Sequence, residues 1–355
     1  MRVGWRDAME RALYGVDGFF RTGDAGPGGH FRTSVHASPL FASALLRLVT
    51  RIDLELGHPD PFDVVDVGAG RGELLTRLAA AAARVDDAGQ AATHTTTAES
   101  AATARSVRGL AERLRPTAVE VAPRPAGLSA DVGWRPTLPD RVVGLLVATE
   151  WLDNVPLDVA EVGDDGVIRR VLVDPATGGE SAGGPVDAAD VFWLARWWPL
   201  AGRPPGTRAE IGWPRDAAWA DAVAAVEAGC ALAVDYGHLR AERPPFGSLT
   251  GYRDGRQVPP VPDGSCDVTA HVAMDAVAAA AGTAYTLVSQ RDALRALGVD
   301  GARPPLSLAS TDPTGYVRAL SAAGAAAELT DPAGLGGHWW LLHGIGIPVP
   351  VPATR

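Results

Sequence analysis

The pattern of apolar and polar positions divides the chain into helical and extended segments. A helical period predicts amphipathic helices, and these cover 4–13, 39–56, 214–228, 292–297 and 313–323. Short runs that are β-branched or wholly apolar predict buried strands, and these cover 64–67, 118–121, 131–134, 142–148, 231–237, 286–288 and 338–343. Because helical segments alternate with most of the strands, the chain is predicted to form a doubly wound α/β sheet.

Three stretches interrupt this alternation. Residues 84–106 are rich in Ala, Thr and Ser without an apolar period, which predicts a flexible insertion. Residues 158–173 alternate like a hairpin, and 174–189 have the composition of a loop. Five of the ten tryptophans lie between 193 and 219. Their near-helical spacing favours packing of an auxiliary layer, with a substrate groove as the alternative.

Composition and charge narrow the class of protein. A net charge of −10 argues against a broad nucleic-acid-binding face. The sequence contains neither an apolar run of membrane-spanning length nor a signal-peptide core, so we expect no membrane association and a cytoplasmic location. The two cysteines, Cys230 and Cys266, form neither a disulfide framework nor a metal-binding pattern. The oligomeric state cannot be inferred from these features.

A glycine-rich turn stands between the strand at 64–67 and a helix. It contains Asp66, Gly68, Ala69, Gly70 and Gly72. The glycines allow a sharp turn and close approach of a ligand, and the following helix N-terminus favours a polar group. The spacing G-x-G-x-G differs from the dinucleotide fingerprint G-x-G-x-x-G. It resembles motif I of S-adenosylmethionine (SAM) methyltransferases, in which Asp66 can face the cofactor's ammonium group directly or through water. A tight turn without a ligand is the alternative.

Glu120 is predicted to end the second strand of the sheet. An acid at this position can accept hydrogen bonds from both hydroxyls of a ribose. The usual separation from the glycine turn is about 20 residues, and the Ala/Thr insertion accounts for the longer separation here. The alternative is an exposed loop acid.

Further polar residues lie at the carboxyl ends of the fourth and fifth predicted strands or directly after them. They are Glu150, Asp153, Asp235 and Tyr236, and His271 lies beyond them in the chain. Because the carboxyl ends of parallel strands share one edge of a sheet, we expect this group near the reactive end of the cofactor. Helix capping by Asp153 and burial of His271 in the core are the alternative interpretations.

Six ordered segments resemble the MidA-like family of SAM-dependent methyltransferases, which is related to a mitochondrial complex I assembly factor that methylates an arginine. The segments are 13–20, 30–34, 66–72, 149–156, 231–237 and 267–272. The resemblance implies a Rossmann-like, seven-stranded methyltransferase sheet with an N-terminal helical arm and a mid-chain insertion. It also implies SAM as cofactor, with Thr33 and Ser34 of the 30–34 loop beside it. The sequence departs from the family pattern at His30, at 35–38 and at Thr149.

The domain organisation is predicted on the same basis. Residues 1–57 form an N-terminal segment that covers the active site. Residues 58–163 and 228–347 form the methyltransferase core, 164–227 a Trp-rich auxiliary insertion, and 84–106 the flexible insertion.

The predicted activity is methyl transfer from SAM, with a protein side chain as the acceptor and arginine implied by the resemblance. A guanidinium has too high a pKa for ordinary deprotonation, so paired carboxylates should hold and polarise it. Glu150 and Asp153 are the predicted pair, and Asp235, Tyr236 and His271 are possible helpers. The alternatives are a small-molecule methyltransferase, a SAM-binding assembly factor without turnover, and a nicotinamide dehydrogenase, which Glu73 argues against.

Overall fold

The computed structural model describes residues 1–22, 33–93 and 108–351, and all structural statements refer to these ranges. The helices are α1 (Trp5–Tyr14), α2 (Phe19–Thr22), α3 (Ser34–Ala37), α4 (Pro39–Glu55), α5 (Glu73–Thr93), α6 (Leu110–Arg113), α7 (Ala188–Trp197), α8 (Trp213–Ala224), α9 (Met274–Ala280), α10 (Gln290–Ala296), α11 (Leu306–Thr311) and α12 (Pro313–Leu329).

The strands are β1 (Val3–Gly4), β2 (Phe62–Val67), β3 (Leu114–Val119), β4 (Gly133–Arg135), β5 (Val142–Thr149), β6 (Asp158–Val162), β7 (Ile168–Val173), β8 (Glu180–Pro185), β9 (Arg208–Ile211), β10 (Val226–Asp235), β11 (Gly237–His238), β12 (Thr250–Arg253), β13 (Arg256–Val258), β14 (Asp267–Thr269), β15 (Val272–Ala273), β16 (Thr286–Ser289) and β17 (Trp339–Ile345).

The largest sheet has the strand order β16-β17-β10-β5-β2-β3-β4. Its neighbours from β10 to β4 pair in parallel, whereas β17 runs antiparallel to both β10 and β16. The strand order reverses between β2 and β5, so the connections from these two strands leave in opposite directions. Such a reversal opens a crevice at the carboxyl ends of the strands, where α/β folds bind ligands. The predicted mixed α/β fold is therefore confirmed.

Both faces of this sheet are covered by helices. Val64 of β2 packs in a core with Leu45 of α4 and Leu75 of α5. The next residue, Val65, points to the opposite face and packs in a second core with Trp219 of α8. This alternation explains the continuous apolar run of the strand, because successive side chains of a central strand enter different cores.

A second sheet has the order β1-β7-β6-β9, with β8 paired to β7. Helix α1 packs on one face through Trp5, and α7 packs on the other through Trp193. Val3 of β1 pairs with Val173 of β7, so the start of the chain and the mid-chain segment form one unit. The predicted boundary at 164 is wrong, because it divides the β6–β7 hairpin of this sheet.

Several predicted elements differ from the structure in their bounds. The second strand of the main sheet is β3 (Leu114–Val119), not 118–121, because its register with β2 begins four residues earlier, at Leu114. Strand β10 begins at Val226, inside the helix predicted over 214–228, because Val226 already pairs with Val142. In both cases pairing with a neighbouring strand overrides the local sequence pattern.

Two stretches predicted to be irregular contain regular structure. Helix α5 continues to Thr93, into the predicted flexible insertion 84–106, because its alanines favour helix. The remainder of that insertion, 94–106, lies outside the described residues. Strand β8 lies within the loop predicted at 174–189, where β7 supplies its hydrogen-bonding partner.

The Trp-rich segment serves packing, as its spacing predicted. Trp193 and Trp198 are buried in the core beneath α7, and Trp219 is buried in a core of the main sheet. Within the described ranges, no helix is long and apolar enough to cross a lipid bilayer.

Candidate active site

A cavity of about 1300 Å³ opens at the carboxyl ends of the main-sheet strands. It is lined by residues that follow β2, β3, β5 and β10, by helix α1 and by the segment 331–338. A pocket that binds one drug-sized ligand usually has a volume of about 300–1000 Å³. The cavity therefore has room for a cofactor and an acceptor side by side.

The glycine turn forms part of the wall of this cavity. Gly68, Gly70 and Gly72 have φ values of +70°, +57° and +80°, in the left-handed region that favours glycine. A β-carbon on Gly68 would lie 2.9 Å from Cδ1 of Trp151. Ala69 between them is buried. The glycine at 68 thus lets Trp151, which follows β5, pack closely against the turn.

Glu120 lies at this turn, as predicted, although 50 residues separate it from Gly70. Its Oε2 accepts a hydrogen bond from the backbone N–H of Gly70 at 3.0 Å, and its Oε1 accepts one from Ala122 at 3.0 Å. Burial raises the pKa of the carboxyl, and these hydrogen bonds oppose that rise. The alternative of an exposed loop acid is wrong, because Glu120 lines the cavity and contacts the turn.

Asp66 is placed behind the turn and is absent from the cavity wall. Its side chain is buried on the face of β2 that also carries Val64, and its Oδ1 has no partner among the described residues. Burial, with Glu120 and Glu73 nearby, raises its pKa well above the ordinary value. Asp66 is therefore not placed for direct contact with a ligand in the cavity. Contact through water remains a prediction.

The segment at 33–34 reaches the acid that follows β5. Thr33 lines the cavity, and the backbone N–H of Ser34 donates to Oε1 of Glu150 at 3.0 Å. The Ser34 hydroxyl is buried against Gln290, with 3.2 Å between Oγ and Oε1. The rest of the predicted loop, including His30, lies outside the described residues.

Glu150 combines an unusual backbone with a perturbed carboxyl. Its φ is +51°, which is uncommon for a residue with a side chain and marks a constrained position. Its backbone N–H donates to the carbonyl of Val234 at 2.8 Å, which fixes that conformation at the end of β5. Burial raises the pKa of its carboxyl to about 8, the Ser34 hydrogen bond lowers it, and Asp153 adds to the rise.

Asp153 is held by two hydroxyls. Its Oδ2 accepts hydrogen bonds from the Tyr236 hydroxyl and from Oγ1 of Thr269, the latter at 2.7 Å. Its Oδ1 is buried without a partner among the described residues. Burial raises its pKa, and the two hydroxyls oppose the rise. Asp153 lies inside a short 3-10 helix at 152–154 and is not its N-cap, so the capping alternative is wrong.

Asp235 does not line the cavity, in contrast to the other predicted acids of this group. Its carboxylate accepts backbone N–H bonds from Leu152 at 2.9 Å, Asp153 at 3.3 Å and Tyr236 at 3.0 Å. Asp235 thereby fixes the backbone that carries Asp153, and its role as a catalytic helper remains a prediction.

Two histidines flank the ring of Tyr236. His271 lines the cavity with its ring centroid 5.2 Å from that of Tyr236, and desolvation lowers its pKa. It is exposed, so the core alternative is wrong. His338 also lies beside this ring, with its centroid 5.6 Å from that of Tyr236, and burial lowers its pKa to about 4. Sequence reasoning treated His338 only as the start of the last strand, since no motif marks it.

The structure adds a hydrogen-bonded chain that the predicted set lacked. The Tyr14 hydroxyl donates to the carbonyl of Asn154 at 3.2 Å, and Nδ2 of Asn154 donates to Oδ1 of Asp267 at 2.7 Å. Asp267 is buried in the cavity wall, and burial together with Asp153 and Glu150 raises its pKa well above the ordinary value. Tyr14 lies in the motif segment 13–20 and Asp267 lies in the motif segment 267–272. Their position in these segments was the sequence signal that could have identified them.

The raised pKa of Glu150 predicts a pH-dependent stability. Unfolded Glu150 ionises near 4.5 and the folded residue near 8, so between these values the folded protein binds the additional proton. The free energy of unfolding should therefore fall as pH rises through this window, by at most about 1.4 kcal/mol per pH unit from this group. Glu150→Gln should be less sensitive to pH, and urea unfolding at pH 5, 6.5 and 8 measures the difference.

The matched control for this experiment is Glu227→Gln. Glu227 pairs with Arg141, which lowers its pKa, so it is ionised in both states across the window. A stability difference between wild type and Glu150→Gln that is the same at all three pH values would contradict the assignment.

The residues of the cavity fit SAM. Gly68 adds no side chain to the wall, Glu120 places carboxylate oxygens at the turn where ribose hydroxyls could donate to them, and the volume exceeds that of one ligand. The described wall residues contain seven acids and no arginine, which favours a cationic ligand in the remaining space: Glu10, Glu120, Glu150, Asp153, Asp267, Glu328 and Asp331.

Two solved structures from Burkholderia thailandensis are similar to this chain. One is bound to S-adenosyl-homocysteine, with a TM-score of 0.74, 24% identity, and coverage of 99% of this chain and 90% of that chain. The other is a native structure of an uncharacterized protein, with a TM-score of 0.71, 24% identity, and coverage of 99% and 89%. At this identity the likeness shows a shared fold. No curated protein matches the sequence.

A family model matches residues 44–291, which is more than half of the 355-residue chain. The family is described as "Putative S-adenosyl-L-methionine-dependent methyltransferase". The fit of the cavity to SAM and this match agree, and the chain belongs to this family of SAM-dependent methyltransferases.

Proposed function

We propose that the acceptor of this methyltransferase is a cationic nitrogen, and specifically the guanidinium of an arginine in a protein. The observation that carries the proposal is the group of three acids Glu150, Asp153 and Asp267 in one cavity wall. Each has a pKa raised chiefly by burial, so each would gain from a positive charge placed beside it.

The cofactor would be held by the glycine turn and by Glu120. When bound, SAM supplies an electrophilic methyl group on a sulfonium sulfur. The small glycines let the backbone approach the ligand, and Glu120 offers carboxylate oxygens to the ribose. Thr33 and Ser34 close the wall next to Glu150.

Glu150 is the proposed proton acceptor. With a pKa near 8 it is largely protonated at neutral pH in the free protein. A guanidinium that enters the cavity favours the ionised carboxylate, so binding releases the Glu150 proton to solvent. The carboxylate can then accept a proton from the guanidinium nitrogen as that nitrogen becomes the nucleophile.

Asp153 orients the acceptor. The Tyr236 and Thr269 hydroxyls fix one carboxylate oxygen, and Oδ1 has no partner among the residues that the structure describes. A guanidinium N–H donor would satisfy that oxygen, and two carboxylates that face one planar guanidinium fix its position. Asp267, held by Asn154, adds negative charge to the same wall.

Transfer of labelled methyl from SAM into a cell extract tests the proposal. A labelled protein band, with the label on an arginine after digestion, is the expected result. Label confined to the small-molecule fraction would contradict a protein acceptor and favour the small-molecule alternative. No incorporation in any fraction would favour a SAM-binding assembly factor without turnover.

A further inference from the structure

Arg215 of α8 is buried between two segments that carry active-site residues, with 1% of its surface exposed. Its Nε donates to the carbonyl of Val155 at 3.1 Å, and its Nη2 donates to the carbonyl of Asp153. Its Nη1 donates to the carbonyls of Ala270 at 2.8 Å and His271 at 3.2 Å. One guanidinium therefore joins 153–155, which follows β5, to 270–271, which follows β14.

The charges around Arg215 distinguish it from an ordinary ion pair. Among the described residues its donors reach backbone carbonyls and no carboxylate. Asp153, Asp235 and Glu210 nevertheless lie close enough to favour its charged form. In return, Arg215 lowers the pKa values of Asp153 and Asp235, which burial raises. The residue thus acts on backbone geometry and on the charge of the acids at the same time.

We infer that Arg215 is a positioning residue, which holds the loop of Asp153 and the loop of His271 in one arrangement. Its positive charge beside Asp153 also favours the ionised form of that carboxyl. A planar guanidinium suits this task, because its donors point in several fixed directions at once. Lysine has one charged nitrogen and cannot reach four carbonyls in two segments in the same way. Helix α8, which lies in the auxiliary insertion predicted at 164–227, would then complete the active site although Arg215 itself is absent from the cavity wall.

Hydrogen exchange of the Arg215→Lys protein tests the geometric part without any acceptor. Loss of hydrogen bonds from a charged donor should speed exchange in peptides covering 152–156 and 268–272 together, by about tenfold. Exchange in α4 should stay unchanged, because α4 packs in the core on the opposite face of the main sheet from Trp219 of α8. The control is Arg243→Lys, since Arg243 contacts His238, Trp197 and Asp275 instead of either loop.

The pH dependence of methyl transfer tests the electrostatic effect of Arg215 on Asp153. This test rests on the proposed function. Labelled-methyl transfer into extract should fall at least about tenfold in Arg215→Gln. Glu150 and Asp153 both shape the acidic side of this profile. In Arg215→Gln the limb that belongs to Asp153 should move to higher pH, because loss of the positive charge raises the pKa of that carboxyl, whereas the pKa of Glu150 is set by burial, Ser34 and Asp153. Arg215→Lys, which keeps the charge, should retain the position of that limb while losing rate. A wild type that labels nothing would refute the proposed function, whereas the exchange experiment would still decide this inference.

The outcomes against the inference are equally specific. Unchanged exchange in either loop, or an equal rise across every peptide of the chain, would show that Arg215 has no role or only a general structural one. If Arg215→Lys does not accumulate as folded protein, Arg215→Gln, whose amide keeps two N–H donors, takes its place in the same exchange measurement.

Discussion

The Glu150→Gln protein is expected to transfer methyl groups about a thousandfold more slowly than wild type, within the usual range for the loss of a general base. Glutamine has nearly the same shape, and its side-chain oxygen can still accept the N–H of Ser34. It cannot accept the proton of the acceptor nitrogen, and it lacks the charge that stabilises a guanidinium. The defect should therefore lie in turnover.

Affinity for S-adenosyl-homocysteine should stay within about twofold of wild type in Glu150→Gln, because the proposed cofactor contacts are at the glycine turn and Glu120. Calorimetric titration measures that affinity, and incorporation of labelled methyl measures turnover. Glu227→Gln removes an exposed acid outside the cavity and should behave as wild type in both assays. Wild-type turnover in Glu150→Gln would refute the role of Glu150.

The Gly68→Ala protein is expected to lose cofactor affinity by about 10- to 100-fold. The new β-carbon would lie 2.9 Å from Cδ1 of Trp151 and 3.3 Å from its Cβ, so the indole, which lines the cavity beside Gly68, must shift. The φ of +70° adds backbone strain of about 1 kcal/mol for alanine. Affinity should fall by more than the strain alone explains, because the clash lies in the cavity wall.

Gly166→Ala separates strain from steric conflict. Gly166 has a similar φ of +76°, but a β-carbon there would have no atom within 4 Å, and it lies outside the cavity. In urea unfolding, Gly166→Ala should lose about 1 kcal/mol of unfolding free energy, which is the contribution of backbone strain alone. It should bind S-adenosyl-homocysteine like wild type. If Gly68→Ala also binds like wild type, the glycine turn is not the cofactor cradle.

The two predictions divide the cavity into separate functions. Gly68→Ala acts on the cofactor half and Glu150→Gln on the acceptor half, and the two residues lie after neighbouring strands, β2 and β5. Loss of turnover with unchanged cofactor affinity in Glu150→Gln, together with loss of cofactor affinity in Gly68→Ala, would support this division. Loss of both properties in both variants would instead indicate that the two halves are coupled through Trp151. This residue follows Glu150 in the chain, and its side chain packs over Gly68.

Much of the architecture could be predicted from local sequence. The strand at β2, the apolar run of β5 and the helix of α4 follow from propensity and periodicity, and six motif segments identified the methyltransferase family, which the family match confirms. The bounds of β3 and β10 could not be predicted in this way. They depend on the register with β2 and β5, which is set by strands distant in the sequence.

The individual roles of the acids show the same limit. Asp235 and Glu150 both lie at the carboxyl ends of strands and look alike in sequence. Asp235 nevertheless binds three backbone N–H groups, whereas Glu150 faces the cavity. The direction of a side chain at the end of a strand depends on the backbone there, as the φ of +51° at Glu150 shows. Spacing in one sequence carries no information about that direction.

The sequence by itself determined the α/β fold, the glycine turn and the strand ends that bear the acids, because these depend on residues adjacent in the chain. Only the tertiary structure brought Glu120 to Gly70 across 50 residues, placed Asp267 beside the acids after β5, and put Arg215 between the two loops. These contacts join segments far apart in the chain. They form only when the sheet and the auxiliary segment have packed, which fixes distances that local propensity leaves free.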